Sequence, residues 1–418
     1  MTFYQKTTLD NGAIIVTERV PAVRSVTVGF WVGIGSRDEV GDENGMSHFI
    51  EHLLFKGTKS RSAKDISETF DTLGAELNAF TTKEFTCYYT RLLDDHLPIG
   101  VEVMTDMLQN SSFKEEHIDF ERQVVLEEIA MYEDTPDELI HDLFTSALWK
   151  DHPLGRQVLG TGGTVRAFDR SKTSGFFENH YTPGNTVIAA AGNLDHDSFV
   201  ALIKKFYNPT VSTRSENVET EPVVRSSLRV VKKKTEQVHL CYGTEALNSR
   251  HPDRFALSVL ENILGGGMSS RLFQRIREER GLAYSVYSYH SLYKDSGNLA
   301  VYVGTRPANV NEVLSIIESE MEKIKREGVV DEELARAREH LKGQLVLGLE
   351  STRNRMTRLG RSELTHGEIL SVDELVDRVN EVNKEQIKEL ANRLFMKERM
   401  VLTIIGPIKE KDLAFGLA

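Results

Sequence analysis

Asn44-Gly45-Met46-Ser47-His48-Phe49-Ile50-Glu51-His52-Leu53-Leu54-Phe55 is the stretch around which the chain is read. Met46, Phe49, Ile50, Leu53 and Leu54 recur at i, i+3, i+4, i+7 and i+8, the period of one helix face. His48, Glu51, His52 and Phe55 share the other face by the same period. The spacing predicts a helix that buries one side and presents two imidazoles and a carboxylate on the other. Asn44 is placed to act as its N-cap.

Histidines at i and i+4 lie one turn apart, close enough for both rings to hold one Zn²⁺. A carboxylate beside such an ion is a natural general base, which is the role open to Glu51. The order H-x-x-E-H is the inverted zinc-peptidase pattern. It needs a third protein ligand. His96, His117, His141, His152 and the carboxylates of residues 115–138 are all candidates. Glu121 and Glu128 are seven apart and share one helix face, whereas Glu127 points away from it, so a ligand and a residue orienting it could come from that pair. The residues alone leave the choice open.

The 418 residues suffice for two or more domains, with 40% apolar and 27% charged residues, ordinary for a globular protein. A formal net charge of −12 gives no support to a nucleic-acid or membrane-surface role. Cys87 and Cys241 are far apart and outside any C-x-x-C spacing, which argues for buried free thiols over disulfides or thiolate ligation. The N-terminus has no signal or transit pattern, and no run approaches the ~18 apolar residues of a membrane span. The expectation is a cytoplasmic protein.

Outward from the helix, residues 3–18 read as a strand pair around Asp10-Asn11-Gly12, and 23–34 as a long strand. Helices are expected over 62–73, 97–108, 114–132, about 137–150, 170–180 and 198–206, with strands over 76–93 and 186–191. Residues 209–226, with two prolines and little apolar periodicity, read as a linker. The pattern then resumes: strands within 228–242, helices over 254–264 and 271–279, a hairpin over 284–303 broken at Asp295-Ser296-Gly297, helices over 309–327 and 331–347, and a strand over 400–405. Glu51-His52-Leu53-Leu54 can be laid over Glu261-Asn262-Ile263-Leu264, with His48 over Ser258. The second copy lacks both histidines. The fold class that follows is α+β, in two similar halves, 1–208 and 227–418, each a mostly antiparallel sheet with helices packed on it.

Two stretches resemble the pitrilysin/insulinase/mitochondrial-processing-peptidase family: Gly45 to Thr58, around His48-Phe49-Ile50-Glu51-His52, and Phe120-Glu121-Arg122-Gln123-Val124-Val125-Leu126-Glu127-Glu128-Ile129. The resemblance implies one Zn²⁺ per chain, held by His48, His52 and Glu128, with Glu51 as general base and Glu121 as the glutamate that orients a ligand. It runs over essentially the whole chain. Leu73 to Thr81 resembles the family's approach to the edge strand that pairs with a substrate backbone, which implies that Asn78, Ala79 and Phe80 bind peptide by β-augmentation. Gly265-Gly266-Gly267 resembles, in short form, a glycine-rich loop implicated in substrate handling, though the family's longer insert is missing. Arg277 and Tyr284 match an arginine–tyrosine pair that faces the scissile peptide.

The implied activity is zinc-dependent endopeptidase action on peptides or unfolded segments inside a chamber, with water activated by zinc and Glu51. Longer relatives join four such units in one chain. Two units with one metal site imply a homodimer in which Arg277 and Tyr284 act across subunits. The alternative is a catalytically silent or partner-dependent subunit of a processing-peptidase-like complex.

Overall fold

The computed structural model describes residues 3–209 and 222–414, so most of the expected linker lies outside the described residues. In chain order the strands are β1 (Gln5–Thr8), β2 (Ile14–Arg19), β3 (Ser25–Val32), β4 (Glu76–Thr81), β5 (Thr86–Leu93), β6 (Thr186–Gly192), β7 (Ser227–Lys232), β8 (Val238–Ala246), β9 (Ala283–Leu292), β10 (Gly297–Thr305) and β11 (Val401–Gly406). The helices of the first part are α1 (Met46–Leu54), α2 (Ala63–Thr72), α3 (Leu97–Asn110), α4 (Glu115–Glu133), α5 (Pro136–Leu148), α6 (Gly162–Arg166), α7 (Arg170–His180) and α8 (His196–Phe206). Those after them are α9 (Arg254–Leu264), α10 (Val310–Glu327), α11 (Asp331–Gly348), α12 (Thr352–Thr365), α13 (Val372–Glu381) and α14 (Lys384–Leu394).

Two compact units form, and they are discontinuous in sequence. The first takes residues 3–130, 156–209 and 348–369; the second takes 131–155, 222–347 and 370–414. Where the sequence suggests contiguous halves, the compact units trade two segments, 131–155 and 348–369. The reason lies in the strands. Ser-Val-Thr-Val-Gly-Phe-Trp-Val in β3 is buried at nearly every position, on both faces, and such a strand needs cover on both sides.

In the first unit the six strands run β1-β2-β6-β3-β5-β4, antiparallel except for β2 with β6. One face is covered by a core that takes Met46, Phe49, Ile50, Leu53 and Leu54 from α1, together with side chains of α2, α3, α4, α7 and α8. The other face is covered by α12, whose Met356, Leu359 and Leu364 pack on Trp31, Cys87 and Tyr89. The approach there is close: a Cβ at Gly360 would stand 2.2 Å from Trp31 Nε1. Buried Glu18 ties α12 down by accepting from Arg358 at 3.0 Å and from Arg355. Among the described residues the sheet ends at β4, an open edge.

The second unit repeats this plan with one strand fewer, β7-β11-β8-β10-β9, again with one parallel pair, β11 with β7. Here α9, α10, α13 and α14 contribute to one core, and α5 covers the opposite face through Ile140, Phe144 and Leu148. α9 follows β8 as α1 follows β3. The expected α+β class with two similar, mostly antiparallel halves is what is found. Cys87 and Cys241 are buried free thiols.

Candidate metal centre

α1 begins at a glycine for a steric reason. Gly45 has φ +97°, and a Cβ there would stand 2.7 Å from Leu159 O and 2.8 Å from Gly160 Cα. Asn44, expected as N-cap, does not cap the helix. Its amide donates instead to Glu39 Oε2 (3.2 Å) and Gln157 O (3.0 Å). The first-turn N–H groups of Gly45 and Ser47 are met by the Glu39 carboxylate, at 2.7 and 2.8 Å. A capping group reached from six residues upstream leaves no local sequence pattern.

The five apolar residues of α1 are buried as the periodicity requires. On the other face the His48 and His52 rings stand 4.7 Å apart. α4 brings Glu128 to them: its Oε2 lies 3.7 Å from His48 Nε2 and 3.5 Å from His52 Nε2. That oxygen is buried and, among the described residues, has no hydrogen-bond partner. Ligand atoms about 2.1 Å from a tetrahedral ion lie roughly 3.4 Å apart, so two nitrogens and an orphaned carboxylate oxygen at these separations fit Zn²⁺. Among the described residues these three form the group whose ligand atoms all lie within 4.8 Å of one another. None of the other histidines considered as third ligand joins it. His141 belongs to the second unit, where Nδ1 and Nε2 meet the hydroxyls of Tyr289 (2.8 Å) and Tyr287 (3.1 Å).

The surrounding groups order this face. Glu121, one turn-pair before Glu128 and 1% exposed, holds His52 Nδ1 at 3.0 Å and Lys56 Nζ at 2.7 Å. That fixes the ring so that Nε2 turns toward Glu128. Burial, helped by neighbouring His52, pushes His48 down to about 3, so it stays neutral and able to ligate a metal at ordinary pH. His52 shifts the other way: burial opposes its charged form, but the Glu121 hydrogen bond and the charges of Glu128, Glu121 and Glu51 outweigh it. A divalent ion would take over the charge that a proton otherwise supplies there. Glu51 is raised by burial, with Thr81 and His52 pulling down and Glu128 pushing up. Its Oε2 accepts from Thr81 Oγ1 at 2.5 Å.

Asn78, Ala79 and Phe80 lie on β4, the edge strand, which packs on α1. Arg277 and Tyr284 lie in the second unit, paired with each other. The guanidinium sits 4.3 Å from the Tyr284 ring centroid and donates to Tyr284 O at 3.0 Å. Arg277 belongs to a π-helical segment, Phe273–Glu278, and Tyr284 is 76% exposed. Gly265 and Gly266 have packing reasons of their own: added Cβ atoms would meet Ser288 N at 2.6 Å and Asn262 Cα at 2.7 Å, while Gly267 faces a groove of about 410 Å³ with His340 and Met268. Sequence reasoning passed over Glu39, Lys56 and Thr81. Thr81 alone had a usable signal, since alternation along β4 puts it on the face of Leu77 and Ala79.

Comparison with known proteins places this arrangement. Residues 14–162 match the family model for insulinase, peptidase family M16, and residues 167–341 match that for the peptidase M16 inactive domain. An uncharacterized zinc protease of Streptomyces coelicolor is 45% identical, over 98% of this chain and 90% of its own length. The chain belongs to peptidase family M16. An uncharacterized zinc protease of Bacillus subtilis is 43% identical over 96% of this chain and 97% of its own. Among solved structures, a protease from Helicobacter pylori superposes with a TM-score of 0.90 at 22% identity, covering 96% of this chain and 99% of that one. A Pseudomonas fluorescens structure described as a peptidase M16 inactive domain gives 0.91 at 20%, covering 97% and 98%. His48, His52 and Glu128 fall in the part matched by the M16 model; Arg277 and Tyr284 fall in the part matched by the inactive-domain model.

Proposed function

We propose that the protein is a zinc-dependent endopeptidase that cleaves peptides or unfolded segments, with one Zn²⁺ per chain on His48, His52 and Glu128. The observation that carries this is the convergence of those three ligand atoms within 4.8 Å, with Glu51 on the same helix face. Zinc held there would polarise a carbonyl and lower the pKa of water to about 7. Glu51 takes the proton of the attacking water and returns it to the leaving amine. Glu121 keeps His52 in the ligating orientation. Asn78, Ala79 and Phe80 pair with the substrate backbone along the open edge of β4, which asks little of substrate sequence. Tyr284 donates to the developing oxyanion and Arg277 to a substrate carbonyl, both from a second copy of the chain in a homodimer. Gly265, Gly266 and Gly267 line the path by which a substrate is handled. Two buried free thiols support a reducing, cytoplasmic setting. Among the described residues no helix is long and apolar enough to cross a membrane.

Metal analysis and cleavage of an unstructured peptide, with and without chelator, test the reading on wild type and Glu51→Gln. About one zinc per chain, chelator-sensitive cleavage, and a loss on the order of 10²–10⁴-fold in Glu51→Gln with zinc retained are expected. Cleavage indifferent to chelator would overturn the reading. A zinc-loaded chain without activity alone would instead point to the silent or partner-dependent subunit.

A further inference from the structure

The C-terminal end of β4 meets the metal helix through one side chain. Thr81 Oγ1 donates to Glu51 Oε2 at 2.5 Å. Its other near neighbour, Thr86 Oγ1, is 3.4 Å away and gives its own proton to Ile34 O at 3.0 Å, so the Thr81 proton is directed at Glu51. The backbone just past Thr81 is anchored. Thr82 O accepts from Ser36 N (3.2 Å), Lys83 O accepts from Arg37 N (2.9 Å), and Lys83 Nζ reaches Arg156 O (2.7 Å). Gly35 lets the two loops touch, since a Cβ there would stand 2.5 Å from Thr82 O. Two residues before Thr81 the strand is open, and the Ala79 N–H is met by the side chain of Asn78 itself, at 2.8 Å.

We propose that Thr81 is a positioning residue that fixes the rotamer of Glu51, so that a peptide pairing along β4 and the aim of the general base are coupled through one hydroxyl. The proposal rests on the peptidase reading. A peptide carbonyl that displaces Asn78 from the Ala79 N–H sets the strand two residues from Thr81, and the anchored turn beyond it transmits the register rather than absorbing it. One carboxylate oxygen of Glu51 is then held by Thr81, leaving the other for the proton it moves.

Steady-state cleavage of an extended quenched peptide, and of a truncated one too short to span β4, is measured for wild type, Thr81→Val and Thr81→Ser, with zinc content determined for each. Thr81→Val keeps the shape and removes the donor. It is expected to lower kcat by about tenfold to a hundredfold on the extended peptide, with KM and zinc content unchanged, and to remove the advantage in kcat that wild type shows for the extended peptide. Thr81→Ser is expected to restore both. A Thr81→Val enzyme with wild-type kcat overturns the proposal and leaves the peptidase reading intact. Loss of zinc, or a raised KM at unchanged kcat, also overturns it, by assigning Thr81 to metal retention or peptide binding. Wild type without chelator-sensitive cleavage would defeat the underlying reading and the proposal together.

Discussion

Three carboxylates meet on the polar side of α1, and their surroundings separate their roles. Glu128 presents an orphaned oxygen, Glu51 a carboxylate held by a hydroxyl, and Glu121 one hydrogen-bonded to His52 and ion-paired with Lys56. Burial alone would raise Glu121, but the hydrogen bonds from His52 and Lys56 hold it below the ordinary range, so it orients His52 as an anion. Glu121→Gln should therefore weaken zinc binding by about 10–100-fold in a competitive chelator titration, while Glu51→Gln leaves affinity within a few-fold. An unchanged affinity would reduce Glu121 to the buried partner of Lys56. His48, Glu51 and His52 were legible because i, i+3 and i+4 on one helix is a local pattern. Glu128 was not: it arrives on another helix, and the residues alone offered several histidines and carboxylates before the family resemblance chose one. Glu39 acts from a loop, where neither periodicity nor residue type distinguishes it, and Thr81 from a strand end, where only the alternation along β4 marks its face.

At the scale of elements, α1 depends on a cap that comes from outside it. Burial pushes Glu39 up to about 7 from an ordinary 4.5, against the N–H groups of Ser47 and Gly45 and the Asn44 amide that pull it down. A carboxyl raised in the folded state stabilises most below its unfolded value, and that contribution is lost as pH rises through about 7. Glu39→Gln mimics the protonated cap at every pH. In the zinc-free protein, the unfolding free energy of wild type from urea titration should fall relative to Glu39→Gln between about pH 5 and about pH 8, by up to the order of 3 kcal/mol. A wild type that gains on the variant over that range would show that the helix N-terminus holds the carboxylate instead. The same scale explains the uneven reading of the fold. β3 and α1 were readable from their own residues, but the exchange of α5 and α12 was not, because a strand buried on both faces demands a second cover without naming the segment that supplies it. It also explains why only the first unit presents the candidate ligand set. In α9 the positions matching His48 and His52 are Ser258 and Asn262; Asn262 is bonded to His340 at 2.8 Å, and Glu261 accepts from Ser288 at 3.1 Å.

At the scale of the molecule, the ligands and the proposed oxyanion donor belong to different units, and the donor is exposed. Tyr284, a residue 76% exposed whose ring is backed by Arg277 at 4.3 Å, is preordered yet unburied within its own unit. In the proposed homodimer Tyr284 would reach the candidate metal site of the other copy, which would give that exposure a purpose. The arrangement makes an arithmetic prediction. Glu51→Gln and Tyr284→Phe chains should each be impaired alone, the latter by about 10²–10³-fold in kcat. Unfolded together or exchanged at equal amounts, half of the dimers pair one chain of each kind. Each mixed dimer has one site with both defects and one site with intact Glu51 and a Tyr284 from its partner. Specific activity should return to about a quarter of wild type. If Tyr284 serves the zinc of its own chain, every site keeps one defect and mixing restores nothing at any ratio. A chain that elutes as a monomer while cleaving at full rate would remove the need for a second copy altogether.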